Sequence, residues 1–175
     1  MDIVSLEDAR RQLRLGPDTS RDGELRGWIA DALGWIEDYT GHTLALRNVT
    51  QTFAGFGVMA LRAWPVAPSA VPIVTYADQA GQDIAVPAAR IDVSRRPARA
   101  VPGIGTRWPS VAAGTTVTVT VAAGYASADA VPRNFHRAAL LLIGAYDADR
   151  EGGEIMAEAE KRARGLCGNK RARSL

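Results

Sequence analysis

The sequence predicts an α+β fold, with N-terminal and C-terminal helices forming a small helical core around a central antiparallel β segment, and three observations carry that reading. Apolar residues recur at helical spacing between 22 and 39, Thr and Val alternate strictly between 116 and 121, and residues 138–143 are apolar on every face behind a helix-opening proline. The order is helices, then strands, then helices, which differs from the repeated βα alternation of a parallel-sheet chain.

The first helix is expected over 5–15. Ser5 is placed as its N-cap, Glu7 and Asp8 face the positive end of the helix dipole, and Gly16-Pro17 stops it. A second helix, over 22–40, is capped by Ser20 or Asp22. At 100° per residue, Leu25, Trp28, Ile29, Ala32, Leu33, Trp35, Ile36 and Tyr39 share one wide sector, and Gly41 sits where a helix-ending glycine belongs. The β segment spans 48–125. Strands are expected at 58–62, at 73–76 and, after the turn Asp78-Gln79-Ala80-Gly81, at 84–86. The last strand, 116–121, points Val117, Val119 and Val121 to one face and Thr116, Thr118 and Thr120 to the other. The Pro-, Gly- and Arg-rich stretch 95–114 reads as a long loop. Pro132 at the first helical position opens a third helix over 132–150, and a polar helix comes after the Gly152-Gly153 break, from Glu154 to Leu166.

Composition narrows the function classes. With 47% hydrophobic and 23% charged residues the chain reads as an ordinary globular one, cytosolic when made, without a signal peptide or a run long enough to cross a bilayer. The single Cys167 forms no internal disulfide and supplies too few thiols for a zinc cluster. The net charge of +2 is unevenly spread: residues 1–40 hold nine acids and five bases, whereas residues 161–175 hold six bases and no acid. Only that tail is a candidate for contact with nucleic acid or an acidic partner.

No catalytic constellation is found. His42 and His136 are the two histidines, and neither lies in a nucleophile motif. His42, behind a helix-ending glycine, reads as a helix-dipole contact or an exposed loop residue. Gly55-Phe56-Gly57 and Gly103-Ile104-Gly105 lack the third glycine of a phosphate loop. Asp147, Asp149, Glu151, Gly152 and Glu158 have EF-hand-like spacing, but Glu151 is too long for its position and Glu154 stands where an apolar residue belongs. These acids read as a solvated helix end, so no catalytic residue, metal site or cofactor is expected.

Several stretches, in order, carry a resemblance. They are Val4-Ser5-Leu6-Glu7-Asp8-Ala9 with Gln12-Leu13-Arg14-Leu15, and Ile36-Glu37-Asp38-Tyr39-Thr40-Gly41-His42. Trp64-Pro65-Val66, Trp108-Pro109, Ala123-Gly124-Tyr125 and Val131-Pro132 come next, then Leu140 to Tyr146 with Arg150-Glu151. Over residues 1–153 the chain resembles the head–tail connector (adaptor) proteins of long-tailed phages and gene transfer agents.

The resemblance implies a structural, non-enzymatic subunit of the virion or particle neck. It would form a ring of about twelve copies that joins portal protein to a stopper or other tail-side protein, while DNA passes through without sequence-specific binding and no membrane is involved. A connector core over 1–153 and a C-terminal arm over 154–175 are expected. Trp28, Trp35, Ile36, Tyr39, Leu140, Leu141, Leu142 and Ile143 are assigned to core and subunit packing, with a neighbouring subunit covering one side of the apolar helix. Ile155, Met156, Ala159, Arg162, Ala163, Arg164, Leu166, Lys170, Arg171 and Arg173 are assigned to a portal-binding arm. Its apolar stripe is too narrow to fold alone, so it is expected to gain order on binding. The alternative reading is a small nucleic-acid-binding or regulatory module working through the basic tail.

Overall fold

A computed structural model describes residues 1–171 and shows an α+β chain that divides into two compact units: Met1–Leu44 with Tyr125–Leu175, and Ala45–Gly124.

The first unit is helical. Helix α1 (Leu6–Gln12) opens with a complete capping box: Ser5 Oγ accepts the Asp8 N–H at 3.0 Å, and the Asp8 carboxylate accepts the Ser5 N–H at 3.1 Å. The Ser5 hydroxyl, the largest influence, holds the Asp8 carboxyl below the usual carboxylate range. The helix stops earlier than the expected residue 15. Leu13 closes it by donating to the Ala9 carbonyl, and Arg14 turns left-handed at φ 55° before Gly16-Pro17 is reached.

Helix α2 (Asp22–Thr40) has the expected span and ends on Gly41 at φ 67°. Its N-cap position is Arg21, without a side-chain cap; Ser20 instead donates its backbone N–H and hydroxyl to Asp18. Helix α3 (Arg133–Ala148) begins one residue after Pro132, and helix α4 (Glu154–Cys167) comes after the glycine pair. Helix α3 is central, packed by α1, α2 and α4. Phe135, Ala138, Ala139, Leu142 and Ile143 on α3 are completely buried, as are Leu25, Ala32 and Ile36 on α2.

Two expectations change here. Within residues 138–143, α1, α2 and α4 cover Ala138, Ala139, Leu142 and Ile143, so the side left for a neighbouring subunit narrows to the half-buried Leu140 and Leu141. The chain also does not divide at residue 153. Helix α4 lies against α3 with Ala159, Ala163 and Cys167 buried, so it belongs to the helical unit rather than to a separate arm. Its apolar stripe is narrow, but small side chains let the helix backbones approach closely, and close packing supplies what side-chain bulk does not.

The second unit contains two antiparallel sheets. Strands β1 (Arg47–Ala54), β3 (Ile73–Ala77), β4 (Asp83–Ala85) and β7 (Thr116–Ala123) form one in the order β1-β7-β3-β4. Strands β2 (Met59–Ala60), β5 (Arg90–Asp92) and β6 (Arg99–Val101) form the other in the order β2-β6-β5. The alternation of β7 is as predicted: Val117, Val119 and Val121 are buried, all three in register with β1 and the first two also with β3. They share one core with Met59, Leu61, Val74, Ile91 and Ala100. The 95–114 segment is not all loop, since β6 lies within it, and the strand expected at 58–62 shortens to two residues. Gly124 ends β7 at φ 117° where the chain passes Ala45: a Cβ there would fall 2.4 Å from the Ala45 carbonyl oxygen, which only glycine avoids.

Candidate functional site

The helical unit gathers most of the residues singled out from the sequence, some in its core and some on its surface. The aromatic side of α2 is half-buried and lidded by arginines. Arg21 and Arg150 lie over Trp28, at 5.3 and 5.5 Å from the ring centroid. Both guanidinium groups are held by carboxylates: Arg21 by Glu24 at 2.9 Å and Asp147 at 2.5 Å, Arg150 by Glu24 at 2.9 Å. Further along, Trp35 stacks on Tyr39 at 5.2 Å, with Arg164 over Trp35 and Arg171 over Tyr39. Trp28, Trp35 and Tyr39 therefore form an arginine-covered platform, while Ile36, Leu142 and Ile143 are the true core.

The residues assigned to the arm divide by helical face. Ala159 and Ala163 are buried on α3, Met156 and Leu166 are half-buried, and Ile155 is 54% exposed. Arg162 pairs with Glu158 at 2.9 Å and Arg164 with Glu160 at 2.7 Å along the same helix. Such exposed pairs add little stability, so their charge remains open to a partner. Lys170 lies in a 3-10 turn (Gly168–Lys170) at the end of the described chain, and Arg171 is the next residue; Arg173 lies outside the described residues.

His42 is the residue whose position the sequence did not foretell. It is 5% exposed. Nε2 lies 2.9 Å from the Lys170 carbonyl and Nδ1 lies 2.7 Å from the Tyr125 hydroxyl. A carbonyl only accepts, so Nε2 carries the proton; in the neutral ring Nδ1 then accepts from tyrosine. The ring also meets Phe135 edge-on at 5.1 Å. Around it the exit of α2 is fastened, with Thr40 Oγ1 donating to the Ile36 carbonyl at 2.6 Å and the Leu44 N–H donating to Glu37 at 2.6 Å. This is a structural tie joining three distant parts of the unit. His136 is half-exposed, 3.8 Å from Asp8.

Three of the four acids with calcium-like spacing serve protein partners. Asp147 holds Arg21, Glu158 holds Arg162, and Asp149 accepts the Met156 N–H at 3.1 Å. Among the described residues no three His, Cys, Asp or Glu are grouped to hold a metal ion. Asp149 caps α4 from outside the helix: backbone N–H groups, Gly153 first and then Met156, hold its carboxyl below the usual range. A depressed folded value means this contribution is present above the unfolded carboxylate range and is lost as pH falls through the folded value. Amide protection at Gly153 and Met156 is accordingly expected to drop between about pH 5 and about pH 2, and to be low throughout in Asp149→Ala. Equal protection at both ends of that range would contradict the cap.

Cys167 is buried, which pushes its thiol up to about 11 and keeps it protonated. Between α3 and α4 an open groove of about 400 Å³ is lined by Leu141, Gly144, Ala145 and Ala159, with Glu154, Ile155, Glu158 and Arg162 along α4. No described helix is long and apolar enough to cross a membrane.

No protein-family model and no curated protein matches the sequence. Solved structures do. A chain in the neck of an empty gene transfer agent particle, computed with C6 symmetry, matches 99% of this chain and 91% of its own length at 24% identity and TM-score 0.76. A chain in the virion of a native gene transfer agent particle covers the same shares at 23% identity and TM-score 0.74. A chain in the neck of the native particle, computed with C12 symmetry, matches 97% of this chain and 89% of its own at 24% identity and TM-score 0.73. From end to end, this chain has the fold of chains found in gene transfer agent particles and their necks.

Proposed function

We propose that the chain is a structural head–tail connector subunit, built into a ring at the neck of a gene transfer agent or phage-like particle. The observation that carries this reading is the likeness of fold to neck chains across 99% of the sequence. The C6 and C12 symmetries of those necks support assembly in multiple copies. In this reading the chain does no chemistry. His42, Asp147 and Asp149 tie parts of the helical unit together and Cys167 is buried within it, which supports a mechanical role.

The ring joins a portal above to a tail-side protein below and keeps the DNA channel continuous. Contact with the portal falls to the C-terminal end of α4 and the basic segment after it, where Arg164, Lys170, Arg171 and Arg173 concentrate positive charge. A nucleic-acid-binding module has less support, because the likeness of fold to neck chains extends over nearly the whole sequence and not only over its basic end.

Removing the gene from a particle-producing strain tests the reading. The expected result is DNA-filled heads without tails, restored by supplying the chain in trans. Normal numbers of tailed particles without it would overturn the connector role. Lys170→Glu with Arg171→Glu is expected to leave the fold intact and to lower tailed particles about tenfold or more; an unchanged yield would remove the portal contact from this end of the chain.

A further inference from the structure

We propose that adjacent copies meet head to tail, the turn bearing Ile104 on one copy seating in the α3–α4 groove of the next. This rests on the connector reading, which requires a repeated contact, and identifies the two surfaces that make it.

The projecting part is a rigid turn in the β unit. The Thr106 N–H donates to the Gly103 carbonyl at 3.0 Å, the Thr106 hydroxyl donates to the same oxygen at 2.9 Å, and Gly105 has φ 74°. Gly103 is pressed down on its neighbour, since a Cβ there would fall 2.7 Å from the Ala88 carbonyl oxygen. The turn is thus anchored from below while it holds Ile104 in solvent at 85% exposure. A branched aliphatic side chain fixed outward by its backbone is preorganised for burial, because little conformational freedom remains to be lost on contact.

The receiving part is the groove between α3 and α4. Gly144, Ala145 and Ala159 leave its floor shallow in side chains, Leu141 makes it apolar, and Ile155 forms an exposed lip. Ile104 is open in the free chain and therefore available to a second copy.

Charge favours a second copy as the occupant. The β unit carries seven arginines against three aspartates, whereas the helical unit carries sixteen acids against fourteen bases. Arg107, three residues beyond Ile104, and Glu154, beside the groove, are both exposed. A positive unit with an apolar projection and a negative unit with an apolar groove, on one chain, attract each other between copies. Because the two surfaces differ, the contact is heterologous and repeats from copy to copy, as the connector ring requires.

Two variants with one added cysteine each test the contact, Ile104→Cys and Ile155→Cys, with the native Cys167 buried in both. After oxidation, the mixture is expected to give a covalent dimer at about tenfold or more the yield of either variant alone. Equal yields in the mixture and the separate samples, or no dimer, would overturn the proposal. In a second arm, Ile104→Asp is expected to weaken self-association about tenfold or more relative to the unmodified chain, with unchanged circular dichroism; unchanged association would also overturn it. Native mass spectrometry of the unmodified chain separates the two readings. Rings without the mixed cross-link sink this contact and leave the connector reading standing, whereas the mixed cross-link without rings leaves the contact and counts against the connector.

Discussion

Phe135→Ala is expected to lower the stability of the helical unit by about 3–5 kcal/mol. Phe135 is completely buried near the start of α3 and abuts the edge-on ring of His42. Truncation removes a large apolar side chain from water-free packing and leaves a cavity that the surrounding helices cannot easily close. The cavity also loosens the imidazole that fastens Tyr125 and the Lys170 carbonyl, so the damage reaches both the entry to the second half of the helical unit and the chain end. Denaturant unfolding followed by Trp fluorescence should show a lower midpoint with an unchanged slope. Phe135→Leu, which keeps most of the volume, should cost well under half as much. A loss within about 0.5 kcal/mol, the range of an inert surface change, would contradict this account of the core.

Ala163→Glu is expected to release α4 from α3. Ala159, Ala163 and Cys167 lie four residues apart and form the buried seam of α4. A carboxylate at the middle position has neither room nor a partner there, and an unpaired buried charge is among the costliest single changes. The helix is too short to persist alone once undocked. Two readouts report the release. Hydrogen exchange should lose protection over residues 154–167 while the Val117, Val119 and Val121 amides of β7 keep theirs. Cys167, released from the burial that pushes its thiol up to about 11, should react with a thiol reagent about tenfold faster or more near neutral pH. Slow, wild-type labelling of Cys167 in the variant would mean that α4 is held by something other than this seam.

The contrast between these two sites marks what the sequence could disclose. Local rules were readable: the Ser5 cap, the Gly41 stop, the alternating valines of β7 and the apolar faces of α2 and α3 each depend on neighbours within a turn or two. Strand β1 was not, because Asn48, Thr50, Gln51 and Thr52 hide its inward Val49 and Phe53 in a polar stretch. Strands β5 and β6 are three residues each, too short to show a period. The docking of α4 rests on alanines and a cysteine, which contribute close approach rather than bulk and so leave a faint pattern. His42 was least readable of all, since its partners lie 83 and 128 residues away and nothing local specifies them.

The candidate assembly surfaces show the same division. The charge of the C-terminal end was visible in composition, and the exposed Ile104 lay in a G-x-G fragment that reads as an ordinary turn. Only the fold shows that Gly103 anchors that turn, or that α3 and α4 leave a groove open beside Glu154 and Ile155. Assembly of this kind joins surfaces on different copies, so its signal is dispersed along the chain instead of concentrated in a motif.

The most direct measurement is a cryo-electron microscopy reconstruction of the particle neck from the source of this chain, with copy number checked by quantitative mass spectrometry of purified particles. The connector reading predicts one closed ring of this chain between head and tail, in a number compatible with the C6 and C12 symmetries of the neck structures that share its fold. A single copy per particle, or a position away from the neck, would contradict it.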